Sequence, residues 1–279
     1  MKRLSLIILA VMMVLDICAQ EKENILSEGL KVMSYNIRLG SADDKTNSWA
    51  LRYTATEEML KDQAPDVFGV QEALVYQVAF IEDICGYESV GVGRENGKKE
   101  GEHMSIFWNK KTVKMLKWGT FWLSETPEKP SKGWDAECFR TATWALMKDK
   151  KTGKKFYFVN THLDHKGTEA QKNGLKLIVD RIAEINPDGL PMVLTGDFNI
   201  EPKNPALKDL DARMQSARKI AVKTDDHATY NGWGKSSTMI DYIYVSGFSS
   251  CPEYQTVTKR YEDRKFISDH YPIFARLIF

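Results

Sequence analysis

The chain has 279 residues, 43% of them hydrophobic, enough for a large buried core in one big domain or two ordinary ones. A formal net charge of +1 supplies no strong positive field, which argues against a dedicated nucleic-acid-binding protein but not against a nuclease with a local basic patch. No two cysteines are spaced C-x-x-C, so neither a zinc site nor a disulfide framework is indicated.

Residues 1–19 read as an export signal: Lys2 and Arg3 form a charged start, and 4–15 is almost wholly apolar but too short for a comfortable membrane span. Cleavage between Ala19 and Gln20 is expected, with lipid attachment at Cys18 as the alternative. The product would be periplasmic or extracellular, without a transmembrane span. Residues 20–30 read as an exposed lead-in and 31–279 as one catalytic domain. Cys85, Cys138 and Cys251 then remain, either as one bridge plus a thiol or as three thiols. Burial is the common fate of isolated cysteines.

Along that domain, 31–37 alternates as a first strand, 52–63 reads as a helix stopped by Pro65, and 66–70 is a short strand delivering Gln71 and Glu72. Strands are expected at 87–92, 105–109 and 113–123, with a charged turn at 96–102. After a proline-bearing loop at 126–133, segments 140–148 and 155–161 form a hairpin. Residues 169–185 place Leu175, Ile178, Val179, Ile182 and Ile185 at helical spacing. A buried strand at 192–194 opens onto Gly196-Asp197. A helix is expected at 207–218, and strands at 241–245 and 271–278. Strands outnumber helices, which predicts packed sheets flanked by helices.

The polar residues of interest sit at the ends of these strands: Asn36, Glu72, His162, Asp197 and Asp241. Sheet structures gather strand ends into one cleft, so residues more than two hundred positions apart are expected to converge. Glu72 suits a hard divalent cation such as Mg²⁺, with Asn36 offering an amide oxygen or orienting the carboxylate. Asp197 and Asn199 flank Phe198; a carboxylate there can orient or deprotonate a water, and the amide can donate to a phosphate oxygen. His270 is the candidate acid or phosphate stabiliser, with Asp241 fixing its imidazole and favouring the charged form. Asp269 is a metal or loop-holding candidate. His162 reads as a second cationic donor, and Asp164 either orients it or fixes its loop. Arg140 can grip a phosphate or pair with a carboxylate. His103, His165 and His227 read as structural or surface residues. Core packing is the expectation for Trp118, Phe121, Trp122 and Trp134, and solvation for the lysine-rich segments.

This ordered set, from Ser34-Tyr-Asn to Ser268-Asp-His-Tyr-Pro, resembles the endonuclease/exonuclease/phosphatase (deoxyribonuclease I-like) superfamily. The run Phe121-Trp-Leu-Ser-Glu-Thr-Pro, with Gly133-Trp-Asp and Arg140-Thr-Ala-Thr-Trp, is similar to an exported bacterial branch close to the deadenylase-like members. The resemblance implies a four-layer α-β-β-α sandwich, with two mixed β-sheets flanked by helices. It also implies Mg²⁺-dependent (or Mn²⁺-dependent) phosphoester hydrolysis by in-line attack of water. Carried over, Asn36, Glu72 and Asp269 belong with the metal, Asp197 positions the water and Asn199 binds phosphate. His162 and His270 bind and stabilise the transferring group, and Asp241 supports His270. Arg140 and Asp164, from the residue reading, are the substrate-binding candidates. Where relatives often place an arginine, this chain has Gln171, which puts a phosphate role there in doubt. The expected protein is a monomeric exported phosphoesterase acting on a phosphorylated small molecule, lipid headgroup or nucleotide. A nuclease acting on DNA or RNA and a non-catalytic phospholigand-binding protein are the alternatives.

Overall fold

Two parallel strand pairs organise the computed structural model, which describes residues 28–279; the expected export signal and most of the lead-in lie outside the described residues. Strands β1 (Leu30–Asn36) and β2 (Val67–Gln71) form the first pair, joined by helix α1 (Trp49–Gln63). Strands β7 (Lys155–His162) and β8 (Met192–Asp197) form the second, joined by helix α3 (Thr168–Ile185). Helix α2 (Val75–Asp83) follows β2.

Antiparallel strands extend each pair into a mixed six-stranded sheet. The first sheet adds β3 (Glu88–Val90), β4 (Ile106–Trp108), β11 (Ser250–Thr256) and β12 (Ile273–Ile278), in the order β11-β12-β1-β2-β4-β3. The second adds β5 (Val113–Trp122), β6 (Thr141–Asp149), β9 (Gln215–Ser216) and β10 (Asp241–Ser246), in the order β5-β6-β7-β8-β10-β9.

Alternation along the strands sorts side chains into layers. Val32, Val67 and Ile273 of the first sheet meet Phe158, Val193 and Ile243 of the second in a shared core. On its outer face the first sheet packs Met33 and Phe68 against Met59 and Leu60 of α1 and Ile81 of α2. The second sheet packs Val159 and Leu194 against Leu175 and Ile178 of α3. The result is the expected helix–sheet–sheet–helix sandwich. In β12, Ile273, Ala275 and Leu277 enter the shared core while Phe274 enters the outer one.

Three elements depart from the sequence reading. The helix expected at 207–218 is broken into a 3₁₀ turn (Pro205–Leu207), α4 (Lys208–Asp211), β9 and α5 (Ala217–Ile220). Pairing of Gln215 and Ser216 with Val245 and Tyr244 at the sheet edge overrides local helix propensity. Helix α2 and strand β11 had no clear periodic signal. Cys85, Cys138 and Cys251 are free thiols, and of the four aromatics Phe121 and Trp122 are buried while Trp118 and Trp134 are more than a third exposed. No helix among the described residues is long and apolar enough to cross a membrane.

Near the cleft end the shared core turns polar. The Asn160 amide donates to the carbonyls of Val70 (2.8 Å) and Ser105 (3.1 Å) across the sheet interface. Its oxygen accepts from Gln71 (2.7 Å) and Thr195 (3.1 Å). A Cβ on Gly69 would overlap both Asn160 Oδ1 and Thr195 Oγ1, so this strand crossing needs glycine. Asn160→Leu strands four buried groups and is expected to cost at least ~2 kcal/mol of unfolding free energy, at roughly 1–3 kcal/mol per unmade buried bond, measured by urea denaturation.

Candidate active site

The C-terminal ends of both parallel pairs open into one cleft of about 510 Å³. In register, Asn36 lies beside Gln71 at one pair's end and His162 beside Asp197 at the other; Asp241 starts β10 opposite Asp197. Glu72 and Asn199, just beyond their strands, have positive φ (64° and 53°). Asparagine tolerates this conformation, but a glutamate there is a strained residue held by its surroundings.

Asn36 spans the cleft floor. Its amide donates to Glu72 Oε1 (2.9 Å) and Asp197 Oδ2 (3.0 Å), while its oxygen accepts from the Arg38 backbone N–H (3.0 Å). Of the two expected roles, orienting Glu72 is therefore the one its contacts serve. Glu72 Oε2 also accepts from the Leu39 N–H (2.8 Å). Burial raises the Glu72 pKa, but His270, Asn36, Leu39 and Arg38 outweigh it and hold the carboxyl below its ordinary value.

His270 stacks obliquely on Tyr230, with ring centroids 4.8 Å apart. Its Nδ1 lies 2.9 Å from Asp241 Oδ2 and its Nε2 3.6 Å from Asp197 Oδ2. Burial opposes the imidazolium, but Asp241, Asp197 and Asp269 prevail and push His270 up to about 10. Burial, then repulsion from Asp241, lifts Asp197 to about 7.

His162 corrects an expectation. Burial, then repulsion from Arg140 and Arg94, lowers its pKa well below the ordinary value, so it is neutral rather than cationic. The Asn199 amide donates to its Nε2 (3.0 Å) and to the Leu163 carbonyl (3.1 Å), which leaves the proton on Nδ1. Asp164 fixes the loop. It accepts from the N–H groups of Cys138, Lys166 and Gly167 and from Arg140 Nε (3.3 Å), and its side chain is fully buried behind the cleft. A direct substrate contact for Asp164 does not fit that position. Arg140 both pairs with Asp164 and lines the cleft. Gln171 donates to the carbonyls of Asp164 (2.7 Å) and Asn199 (3.3 Å), a backbone-holding position.

Glu72, Asp197 and His270 bring a ligand atom each within 4.8 Å of one another. With His270 protonated and held by Asp241, the two carboxylates are the ligands left for a cation. Hard oxygens and buried like charges suit Mg²⁺ or Mn²⁺, whose charge would offset their repulsion. Asp269 stands outside this group, 3.6 Å from Arg38 Nη1.

Several participants escaped sequence reasoning. Arg38 is gripped by Asp44 (2.9 and 3.1 Å) beside Glu72 and Asp269. Arg94 and Glu102 pair at 2.6 Å in the cleft wall, Glu102 at the end of the expected charged turn and Arg94 just before it. Fully buried Arg52 donates to the carbonyls of Ile37, Arg38, Asn47 and Ile267 between the rings of Trp49 and Trp233. Only Arg38 carried a signal, through its place in Ser-Tyr-Asn-Ile-Arg.

Residues 33–270 match the Endonuclease/Exonuclease/phosphatase family. The chain belongs to that family. It is similar to a mannosyl-6-phosphatase of Bacteroides thetaiotaomicron VPI-5482: 33% identity, TM-score 0.85, covering 90% of this chain and 100% of that one. It is also similar to an endonuclease/exonuclease/phosphatase of Bacteroides vulgatus: 34% identity, TM-score 0.84, covering 90% and 98%. Sphingomyelinase C 2 of Leptospira interrogans is 25% identical over 171 residues, 51% of this chain but 27% of that protein. Family members hydrolyse phosphoester bonds, and the family's fold is the one seen here.

In metal-free protein, Asp241→Asn is expected to lower the His270 midpoint from about 10 toward the ordinary histidine value, followed by NMR of the imidazole. Because the folded pKa lies above the unfolded one (about 6.5), the wild-type contribution to stability is full below that pH. It disappears as pH rises through about 10. An unmoved midpoint in the variant would contradict the ion pair.

Proposed function

We propose that the protein is an exported, divalent-metal-dependent hydrolase that cleaves a phosphodiester or phosphomonoester by in-line attack of water. The observation that carries this reading is the convergence of Glu72, Asp197, Asn199, His162 and His270 on one cleft from strand ends spread over the whole domain. Membership of a family of phosphoester hydrolases supports it, as does the likeness to a protein named as a mannosyl-6-phosphatase.

Glu72 would hold a divalent cation such as Mg²⁺ or Mn²⁺ with Asp197 within reach, and Asn36 fixes both carboxylates from below. When bound, the cation supplies charge to a phosphoryl oxygen and lowers the cost of approach by water. Asp197 accepts the proton of the attacking water. Protonated His270 donates to a phosphoryl oxygen, and Asp241 keeps it charged. The Asn199 amide, now on the Leu163 carbonyl and His162, turns to the phosphoryl group as charge accumulates there. His162, neutral with Nδ1 protonated, orients Asn199 rather than supplying a second cation.

With Mg²⁺ or Mn²⁺, turnover is expected on at least one of p-nitrophenyl phosphate, its bis-ester, sphingomyelin, nucleotides, sugar phosphates or nucleic acid. Chelation and Glu72→Ala should abolish it, and His270→Ala should lower kcat by about 10²–10⁴-fold. Full activity in chelator would end the metal reading.

Export rests on the basic start and short apolar run of residues 1–19. Expressed in a bacterial host, the chain is expected to leave the cytoplasm with Gln20 at its N-terminus, checked by intact mass. An acylated fragment beginning at Cys18 would instead indicate the lipid anchor.

A further inference from the structure

One wall of the cleft contains cationic donors that the mechanism above does not use. Arg140 is 5% exposed, yet its Nη1 has no hydrogen-bond partner. Its Nε shares Asp164 with three backbone N–H groups, and its Nη2 faces only the Nδ1 of His165 (3.1 Å). Arg94, 8% exposed, pairs with Glu102 through Nη1, but its Nε has no hydrogen-bond partner and lies 3.6 Å from Glu95. His162 Nδ1, which carries that ring's proton, is also without a partner; the nearest carboxylate, Glu102, is 4.0 Å away. Buried donors without acceptors are costly and rare in native proteins. Three on side chains lining one cleft point to an acceptor with several oxygens.

The wall is held in place. Trp122 Nε1 donates to the Arg94 carbonyl (2.7 Å), the Arg94 N–H donates to the Glu102 carbonyl (3.0 Å), and the His103 N–H donates to Ala73 beside Glu72 (2.7 Å). Elsewhere the cleft is bounded by Tyr230, Ile240 and Asn199, which it shares with a neighbouring hollow. That hollow is lined by Gln171, Asn204, Thr238 and the carboxylate of Glu201 among others, and no basic side chain lines it.

We propose that Arg94 and Arg140, beside His162, form an anion wall that selects a terminal phosphate, making the substrate a phosphomonoester of an uncharged alcohol rather than a diester. The proposal rests on the phosphoesterase reading of the same site. A monoester presents three terminal oxygens and two negative charges, whereas a diester presents two and one. Extra guanidinium donors therefore favour the monoester. With Glu201 as its charged side chain, the hollow disfavours a leaving group that bears further phosphates, whereas a polynucleotide would carry negative charge on both sides of the scissile bond.

The test uses the Mg²⁺-loaded protein with p-nitrophenyl phosphate and methyl p-nitrophenyl phosphate, which share a leaving group. Comparing the ratio of kcat/KM values between wild type and variants removes the intrinsic difference in reactivity. Arg140→Gln and the paired Arg94→Gln/Glu102→Gln, which avoids an unpaired buried carboxylate, should each lower the monoester-to-diester ratio about tenfold or more. Arg140→Lys should restore part of it. Equal losses on both esters would overturn the proposal.

Calorimetric binding of inorganic phosphate against dimethyl phosphate at pH 8 provides an arm independent of turnover. Wild type should favour inorganic phosphate, and Arg140→Gln should weaken that preference about tenfold. Equal affinity for the two anions in wild type would also overturn the wall. If neither ester is hydrolysed while inorganic phosphate is still preferred, the wall stands and the hydrolase reading fails.

Discussion

The cleft depends on how closely the two sheets approach beneath it. Asn160 is the cross-link: one amide bonds two carbonyls of the first sheet and two side chains, one from each sheet. Gly69 makes room for it. Asn160 and His162 lie two residues apart on β7, so they share a face, and the bond that fixes the sheet spacing also fixes the height of His162. Above it, Asn36 repeats the bridge from the other side, reaching from β1 to Asp197 at the end of β8. An apolar core slides and repacks at modest cost, whereas a satisfied buried polar network has one good arrangement. Placing such a network directly under the reacting groups converts sheet packing into site geometry.

Backbone held in unusual conformations completes the rim. Arg38, Glu72 and Asn199 all have positive φ, and each is secured by bonds from outside its own segment. Arg52 does much of this work. Its guanidinium donates to backbone carbonyls of both the 37–47 segment and Ile267, next to Ser268-Asp269-His270. Gln77, from the helix absent from the sequence reading, holds the same rim through the Arg38 carbonyl and the Gly40 N–H. The 229–232 segment closes the ring, with Asn231 bonded to the Ser268 and Asp269 carbonyls.

Electrostatically the cleft is divided. One part gathers buried carboxylates around a charged His270, an environment that a divalent cation would relieve. The other presents Arg94 and Arg140 next to a histidine that they help to keep neutral. Two histidines in one pocket thus shift in opposite directions: burial disfavours the charge on both, but Asp241 and Asp197 overcome it at His270, whereas two guanidinium groups add to it at His162. In the proposed reading this asymmetry would orient a phosphoryl group, with Glu72 and Asp197 near the attacked phosphorus and the guanidinium groups available to its outer oxygens.

Much of this was legible in the chain. Apolar alternation located most strands within a residue or two, the spacing of Leu175, Ile178 and Val179 located α3, and Asn36, Glu72, His162, Asp197 and Asp241 stood out as polar residues at strand ends. Their order along the chain was specific enough to indicate the family. Local pattern failed at 207–218, where edge pairing broke the helix, and at α2, whose apolar face is not cleanly periodic. It could not distinguish Asp164 as a loop anchor from Asp164 as a ligand, since both are buried aspartates after a histidine. Nor could it assign His162 its charge, pick out Arg94, or single out Glu102 from a charged turn. Residue type and periodicity are local and survive in one dimension, so the sequence by itself determined the layers and the chemical inventory. Protonation, pairing and the cationic wall depend on which groups from distant segments come within a few ångströms of each other, and only the tertiary structure decided that.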